Sequence, residues 1–378
     1  TWAKRALAID AVLSPAKVLE RLNPQNADLY DSLIGMSAAA AEGSDISPWT
    51  SRFSIYANDA NSPAKLKSTV QRYRTLTEIL KKSPATGVES QAAMPKPVVD
   101  SLLNDKNRTK TAGMLILINV AADLDMPNLS LRLSRRLFEE NRSCQWAVMD
   151  ILSFAPPLSE LETLGGRITP ADLFAAELVR AEIAFRRGDM ENACGILGRL
   201  SEKYPDNTLL MLRYGIALEQ AGRLKDALKI YRKIWDTTGD VVAANNAASI
   251  VGQLFPKDPD ELSAASELMT KVLQVAPSIP AFLDTKGWIE YLRGNVPAAR
   301  KYLLAGIMGL GDSIEAHYHV GMAEKDVDAK MALWHFQAAV AYARKQLAAA
   351  SPKLSAAEEH AMQESLGEIR RMEKNNAE

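Results

Sequence analysis

The small residues Ala181, Gly215, Ala248, Gly287 and Gly321 stand 34, 33, 39 and 34 residues apart. A period of that length constrains the chain more than any other feature, because a repeated supersecondary unit buries its apolar face only by stacking on its neighbours. Three of these small residues also head the same complete series of steps. From Gly287 the landmarks are Gly294, Ala299, Leu303 and Gly306; from Ala181 they are Gly188, Ala193, Leu197 and Leu200; from Gly215 they are Gly222, Ala227, Tyr231 and Ile234. The Ala248 unit carries a longer turn, LFPKDPDEL, after which Ala265, Met269 and Val272 resume the series, and this insertion accounts for the 39-residue spacing.

The residue types predict pairs of helices. A missing side chain at Gly215 or Ala227 lets two helix backbones approach where they cross. Gly188, Gly222 and Gly294 fall where the first helix ends and a left-handed residue is wanted. Pro297 falls in the first turn of the next helix, where an absent N–H costs little, and Pro205 and Pro277 close second helices.

The stretches RYGIALEQAGRLKDALKIYRKI (213–234) and LDTKGWIEYLRGNVPAARKYLLAG (283–306) resemble tetratricopeptide repeats, with coverage from Leu173 to Ala343. The succession NNAASI, DTKGWIEYLRGN and EAHYHVG further resembles the C-terminal end of large bacterial tetratricopeptide proteins, some of which serve exopolysaccharide export or cell-envelope assembly. The resemblance implies an all-α fold: a right-handed superhelical solenoid of helical hairpins, with an irregular helical region over 1–169, about five hairpins over 170–350, and a capping helix and tail over 351–378. Two departures stand out. Lys286 occupies a position where the family prefers Leu, and GMAEKDVDAKMAL brings Ala332 one residue early, so an irregular last unit is expected.

Upstream the pattern fades. RALAID (5–10) resembles the end of a second helix and NPQN (23–26) an inter-unit turn, so the sequence is expected to start mid-repeat of a longer chain. Ile118, Asp125, Ser130, Ser134 and Leu137 keep the offsets and suggest a divergent hairpin over Thr111–Arg142, while 63–82 and 144–154 also read as helices. TAGMLILINVAADL (111–124) is too short an apolar run to span a bilayer and reads as a buried helix. Near the C-terminus, Ser355 and Glu358 form a capping box, and Met362, Leu366, Ile369 and Met372 share one face, as a helix covering the end of a repeat array requires.

The scan for chemistry is nearly empty. With 45 basic against 46 acidic residues, nothing calls for nucleic acid. Phosphate-loop, zinc-helix, nucleophile-elbow and paired-Cys motifs are absent, and no cofactor is expected. Cys144 and Cys194 read as isolated buried thiols. GLGDSI (309–314) reads as an inter-repeat turn. His317 and His319, two apart on a helix, point to different faces and cannot chelate one metal together. The basic stretch of Lys65–Lys82 reads as a solvated helix face. The expectation is a non-enzymatic protein; a catalytic site survives only if the 1–169 half hides one.

What remains is a surface. In the family, the first helices of successive units line a concave groove. Residues three before, one after and four after each small landmark are therefore the candidates: Leu178, Glu182 and Phe185; Leu212, Ile216 and Glu219; Asn245 and Ser249; Asp284, Trp288 and Tyr291; Tyr318 and Met322. Asn side chains and aromatic rings suit peptide recognition, with packing between units the alternative for Trp288, Tyr291 and Tyr318. The basic residues that clamp a ligand's C-terminal carboxylate in chaperone-binding members are not at the matching places. The expected partner is a protein or peptide, self-association included, with no membrane span. The rival role implied by the narrower resemblance is a structural arm of an envelope or export assembly; the compartment, cytoplasmic or periplasmic if bacterial, stays open.

Overall fold

The computed structural model describes residues 24–57, 73–78, 80, 100, 102–124, 126–169, 173–348 and 354–375, and among them it contains helices and no strands. The chain divides into two compact units, Thr1–Asn207 and Thr208–Glu378.

The first unit opens with α1 (Pro24–Glu42) and α2 (Ser47–Ala57), followed by α3 (Arg108–Asp123), α4 (Pro127–Glu140), α5 (Gln145–Ser153) and α6 (Leu158–Gly165). Pro24 already stands in the first turn of α1, which corrects the expected turn at NPQN: proline with its preset φ starts the helix here. In α3 every residue from Thr111 to Ala121 is buried, because α1 covers one side of it and α4 another. The approach of α1 is close enough for Ser37 Oγ to donate to the Gly113 carbonyl at 2.5 Å. The α3–α4 pair is the hairpin suggested by the Ile118 series, and Ile118, Ser130, Ser134 and Leu137 are all buried in it. RALAID, Asp125 and most of the basic 65–82 stretch lie outside the described residues. The unit ends with a hairpin of α7 (Phe174–Arg187) and α8 (Met190–Lys203), whose turn places Gly188 at φ 80°.

The second unit is a run of hairpins: α9 (Thr208–Gln220) with α10 (Leu224–Thr238), α11 (Val241–Leu254) with α12 (Pro259–Val275), α13 (Pro280–Leu292) with α14 (Val296–Ile307), and α15 (Ile314–Glu324) with α16 (Ala329–Leu347). Each first helix packs on its hairpin partner, the second helices α10, α12 and α14 pack also on the first helix of the next hairpin, and first helices touch one another, α11 with α13 and α13 with α15. The small residues sit where the sequence requires them. A Cβ on Gly215 would lie 2.5 Å from the Tyr231 ring, and one on Gly321 would lie 2.5 Å from the Phe336 ring. Asp240, Asp258 and Asp328 cap the helices that follow them by accepting from backbone N–H groups in the first turn.

The last hairpin packs like the others rather than irregularly. Its one-residue deficit is absorbed in α15, which stops at Glu324, and Asp328 caps α16 so that Ala332 and Phe336 stay fully buried. The final helix, α17 (Ala356–Asn375), begins with the expected capping box: Ser355 N–H donates to Glu358 at 2.7 Å, and Glu358 N–H donates to Ser355 Oγ at 3.1 Å. Ala361, Met362, Ile369 and Met372 of α17 join the core made by Ile314, Tyr318 and Phe336, so the helix covers α15 and α16. Among the described residues no helix is long and apolar enough to cross a membrane.

Candidate functional site

Lys286, the departure from the repeat pattern, is held by a buried polar network. Its ammonium donates to the Ser266 carbonyl at 2.9 Å, to Ser266 Oγ at 2.7 Å and to Thr270 Oγ1 at 3.1 Å, and pairs with Glu290 at 2.8 Å. Glu290 also accepts from Ser266 Oγ at 2.5 Å, and from Arg293 and Asn295 at 3.1 Å. The side chains of Lys286 and Glu290 are only 6% and 4% exposed. Burial alone would raise the Glu290 carboxyl; the hydrogen bonds from Lys286 and Ser266 and the charges of Lys286 and Arg293 outweigh it and hold the carboxyl below its ordinary value. This network fixes the α12–α13–α14 contact and leaves the opposite edge of α13 free for other work.

On that edge Trp288 is half-buried and stacks on Tyr291, centroids 5.1 Å apart, and on His319 of α15, centroids 4.2 Å apart. His319 Nδ1 donates to Asp284 at 2.9 Å, which fixes the imidazole against the indole. Tyr318 lies 5.6 Å from Trp288 and meets His360 of α17 edge-on at 6.1 Å.

These rings border a cavity of about 410 Å³. Its walls come from α11 through Ser249, Gly252 and Gln253, from α13 through Trp288 and Leu292, from α15 through Glu315, Tyr318 and His319, and from α17 through Ala357 and His360. The volume falls in the range of small-ligand pockets, roughly 300–1,000 Å³. Glu315 supplies its carboxylate; burial, together with the carboxylates of Asp284, Glu358 and Glu219, pushes its pKa up against the opposing pull of His319.

The structure brings together three of the nominated positions, Ser249, Trp288 and Tyr318, with Tyr291 and Asp284 immediately behind them. Tyr318 is mostly core, at 6% exposure, and Asn245 is buried with an unpartnered Oδ1. Met322 is half-buried against the α15–α16 core. On α9, Ile216 is exposed, Leu212 is half-buried, and Glu219 accepts from the Tyr231 hydroxyl at 3.1 Å. Leu178, Glu182 and Phe185 belong to the other unit, where Glu182 pairs with Arg186 at 2.6 Å and Leu178 is buried. The nomination missed Glu315, His319 and His360. The first two stand four apart on α15 and so share a face, a signal the sequence carries; His360 arrives only through the docking of α17.

His317 points the other way, into α16, as the two-residue spacing predicts. Its Nε2 donates to the Gly311 carbonyl at 3.0 Å, so in the neutral ring Nδ1 must accept, and His335 Nδ1 donates to it at 2.9 Å. Among the described residues no group of three or more His, Cys, Asp or Glu could hold a metal. Burial, then the neighbouring His317, pushes His335 down to about 4, and burial also lowers His317. Both folded values lie below the unfolded one, so their contribution is present above about pH 6.5 and is lost as pH falls toward 4. We expect the urea midpoint to fall between pH 7 and 5 by the equivalent of about 1–2 kcal/mol, and a His335→Asn chain to lose that part of the dependence. Identical pH profiles for the two chains would remove the histidine pair as its cause.

The family profile described as tetratricopeptide repeat matches residues 175–207. A TPR repeat-containing protein of Pseudomonas aeruginosa, PA4667, is 26% identical over 144 residues, which are 38% of this chain and 24% of that protein. The matched region thus spans about a quarter of that relative's length. Among solved structures, the Cut9–Hcn1 APC/C hetero-tetramer aligns over 96% of this chain and 67% of its own, at 13% identity and a TM-score of 0.52, and MamA of Desulfovibrio magneticus RS-1 over 45% and 94%, at 17% and 0.38. Residues 175–207 match the tetratricopeptide repeat, and the hairpins, crossing glycines and recurrent spacing that follow them are similar to that repeat.

Proposed function

We propose that the C-terminal repeats bind a segment of another protein along the face formed by α9, α11, α13 and α15, and that the chain is a scaffold without a catalytic role. The observation that carries this reading is the cavity itself: three successive first helices contribute to it, and its largest ring, Trp288, is half-buried instead of enclosed. A ring held by stacking on Tyr291 and His319 offers rigid contact area that costs little entropy on binding. Ile216 of α9, which is exposed, holds the position in its hairpin that Trp288 holds in its own, one after the crossing glycine.

The test is photo-crosslinking in a lysate of the native host, with a benzophenone residue at Gln253 on the cavity rim or at Lys229, whose side chain is 79% exposed on α10. A discrete adduct from Gln253 and none from Lys229 is expected. Equal labelling at both positions counts against the groove.

A further inference from the structure

We infer that the cavity walled by Trp288, Tyr318, His319, His360 and Glu315 accepts the basic side chain, Lys or Arg, of the bound segment. This rests on the groove reading above and names the chemistry it selects. Among the described residues the cavity's charge is one-sided: Glu315 is the only Asp or Glu on its wall and no Lys or Arg lines it, while Asp284 stands directly behind His319. Among the described residues none donates a hydrogen bond to the Glu315 carboxylate, and Asp284 Oδ1 is buried without a partner although Oδ2 accepts from His319. The other carboxylates felt by Glu315 are those of Glu219 and Glu358, and Glu358 is occupied with the α17 cap. The protein therefore places a carboxylate inside a ring-lined space where, among the described residues, imidazoles are its only basic neighbours on the wall.

The rings match the same occupant. Trp288, already stacked on Tyr291 and His319, contributes apolar ring surface for the stem of such a side chain. The aliphatic stem of a basic residue fits against Leu292, Leu224 and Pro256, which supply the apolar wall, while its head reaches Glu315. An acidic side chain or a C-terminal carboxylate meets repulsion at the same point. Entry from a peptide, rather than from a free amine, is favoured because the cavity opens on the face where Ser249 and Gln253 offer polar groups to a main chain.

The experiment uses the full chain, immobilised, and nonapeptide pools whose central residue is fixed as Arg, Lys, citrulline, norleucine or Glu while the others are randomised. The Arg and Lys pools are expected to be retained about tenfold better than the citrulline and norleucine pools, with Glu the poorest. The preference should shrink as salt is raised, and Glu315→Gln should bring the Arg-to-citrulline ratio close to one without reducing citrulline retention. n-Butylammonium should compete only weakly; competition by that free amine as strong as by the Lys pool overturns the peptide assignment. Retention that depends on Trp288 but ignores the central charge overturns the inference and leaves the groove reading standing. If no pool is retained at all, both fail.

Discussion

Replacing Glu290 with Gln is expected to destabilise the C-terminal repeats by about 3–5 kcal/mol, because it strands a buried Lys286 ammonium without its counter-charge. The pair is i, i+4 on α13, and the network around it ties α12 to α13 through Ser266 and reaches the start of α14 through Asn295. Its net worth is a different quantity from the cost of breaking it. Two buried charges lose hydration on folding, and an apolar pair of similar volume often does as well. Lys286→Met combined with Glu290→Leu should therefore recover more than half of the loss seen in Glu290→Gln, with Arg293, one-third exposed, turning to solvent. A urea-denaturation comparison of the single and paired replacements measures this coupling; costs that simply add would remove the network from the account. Glu290 is also held below its ordinary value, so its stabilisation is present at neutral pH and is lost as pH falls below about 4.5 through the folded value.

Gly287→Ala should cost about 3 kcal/mol, at the upper end of overpacking effects. The added Cβ would lie 2.6 Å from Leu303 Cγ and 2.9 Å from the Leu303 backbone nitrogen. A side chain can rotate away, but a helix backbone cannot, so α13 and α14 must separate. Gly294→Ala provides the contrast: nothing lies within 4 Å of its Cβ position, and only the left-handed φ of 79° resists substitution, at about 1 kcal/mol. Thermal or chemical unfolding of the two variants tests the distinction between a crossing glycine and a turn glycine. Equal losses would contradict it.

The same distinction explains what the sequence made legible. Crossing and turn glycines are local backbone requirements that recur at a near-fixed spacing, so the existence and order of the hairpins from Phe174 to Leu347 were readable. The α17 capping box was legible for the same reason, since Ser355 and Glu358 satisfy each other within one turn. Lys286 looked like an anomaly because its compensation comes largely from Ser266 and Thr270 on another helix. In the first unit, α3 is buried all round over Thr111–Ala121, and a helix with no solvent face carries no amphipathic period to read.

The candidate site was half legible. The offset rule nominated Ser249, Trp288 and Tyr318, which share a cavity wall because each hairpin presents corresponding positions to one face. It could not separate Trp288, half-buried at the cavity, from Tyr318, which spends most of its surface on Phe336 and α17. It also could not place His360, whose position depends on how α17 docks rather than on the repeat.

The central claim is that a protein segment binds at the face bearing Trp288. It is tested most directly by titrating the segment that crosslinks to Gln253 against the native chain and against a Trp288→Ala, Tyr291→Ala chain whose far-UV circular dichroism is unchanged. The account predicts an affinity lower by at least about tenfold in the variant, as loss of a central aromatic anchor entails. An affinity equal to that of the native chain would contradict it.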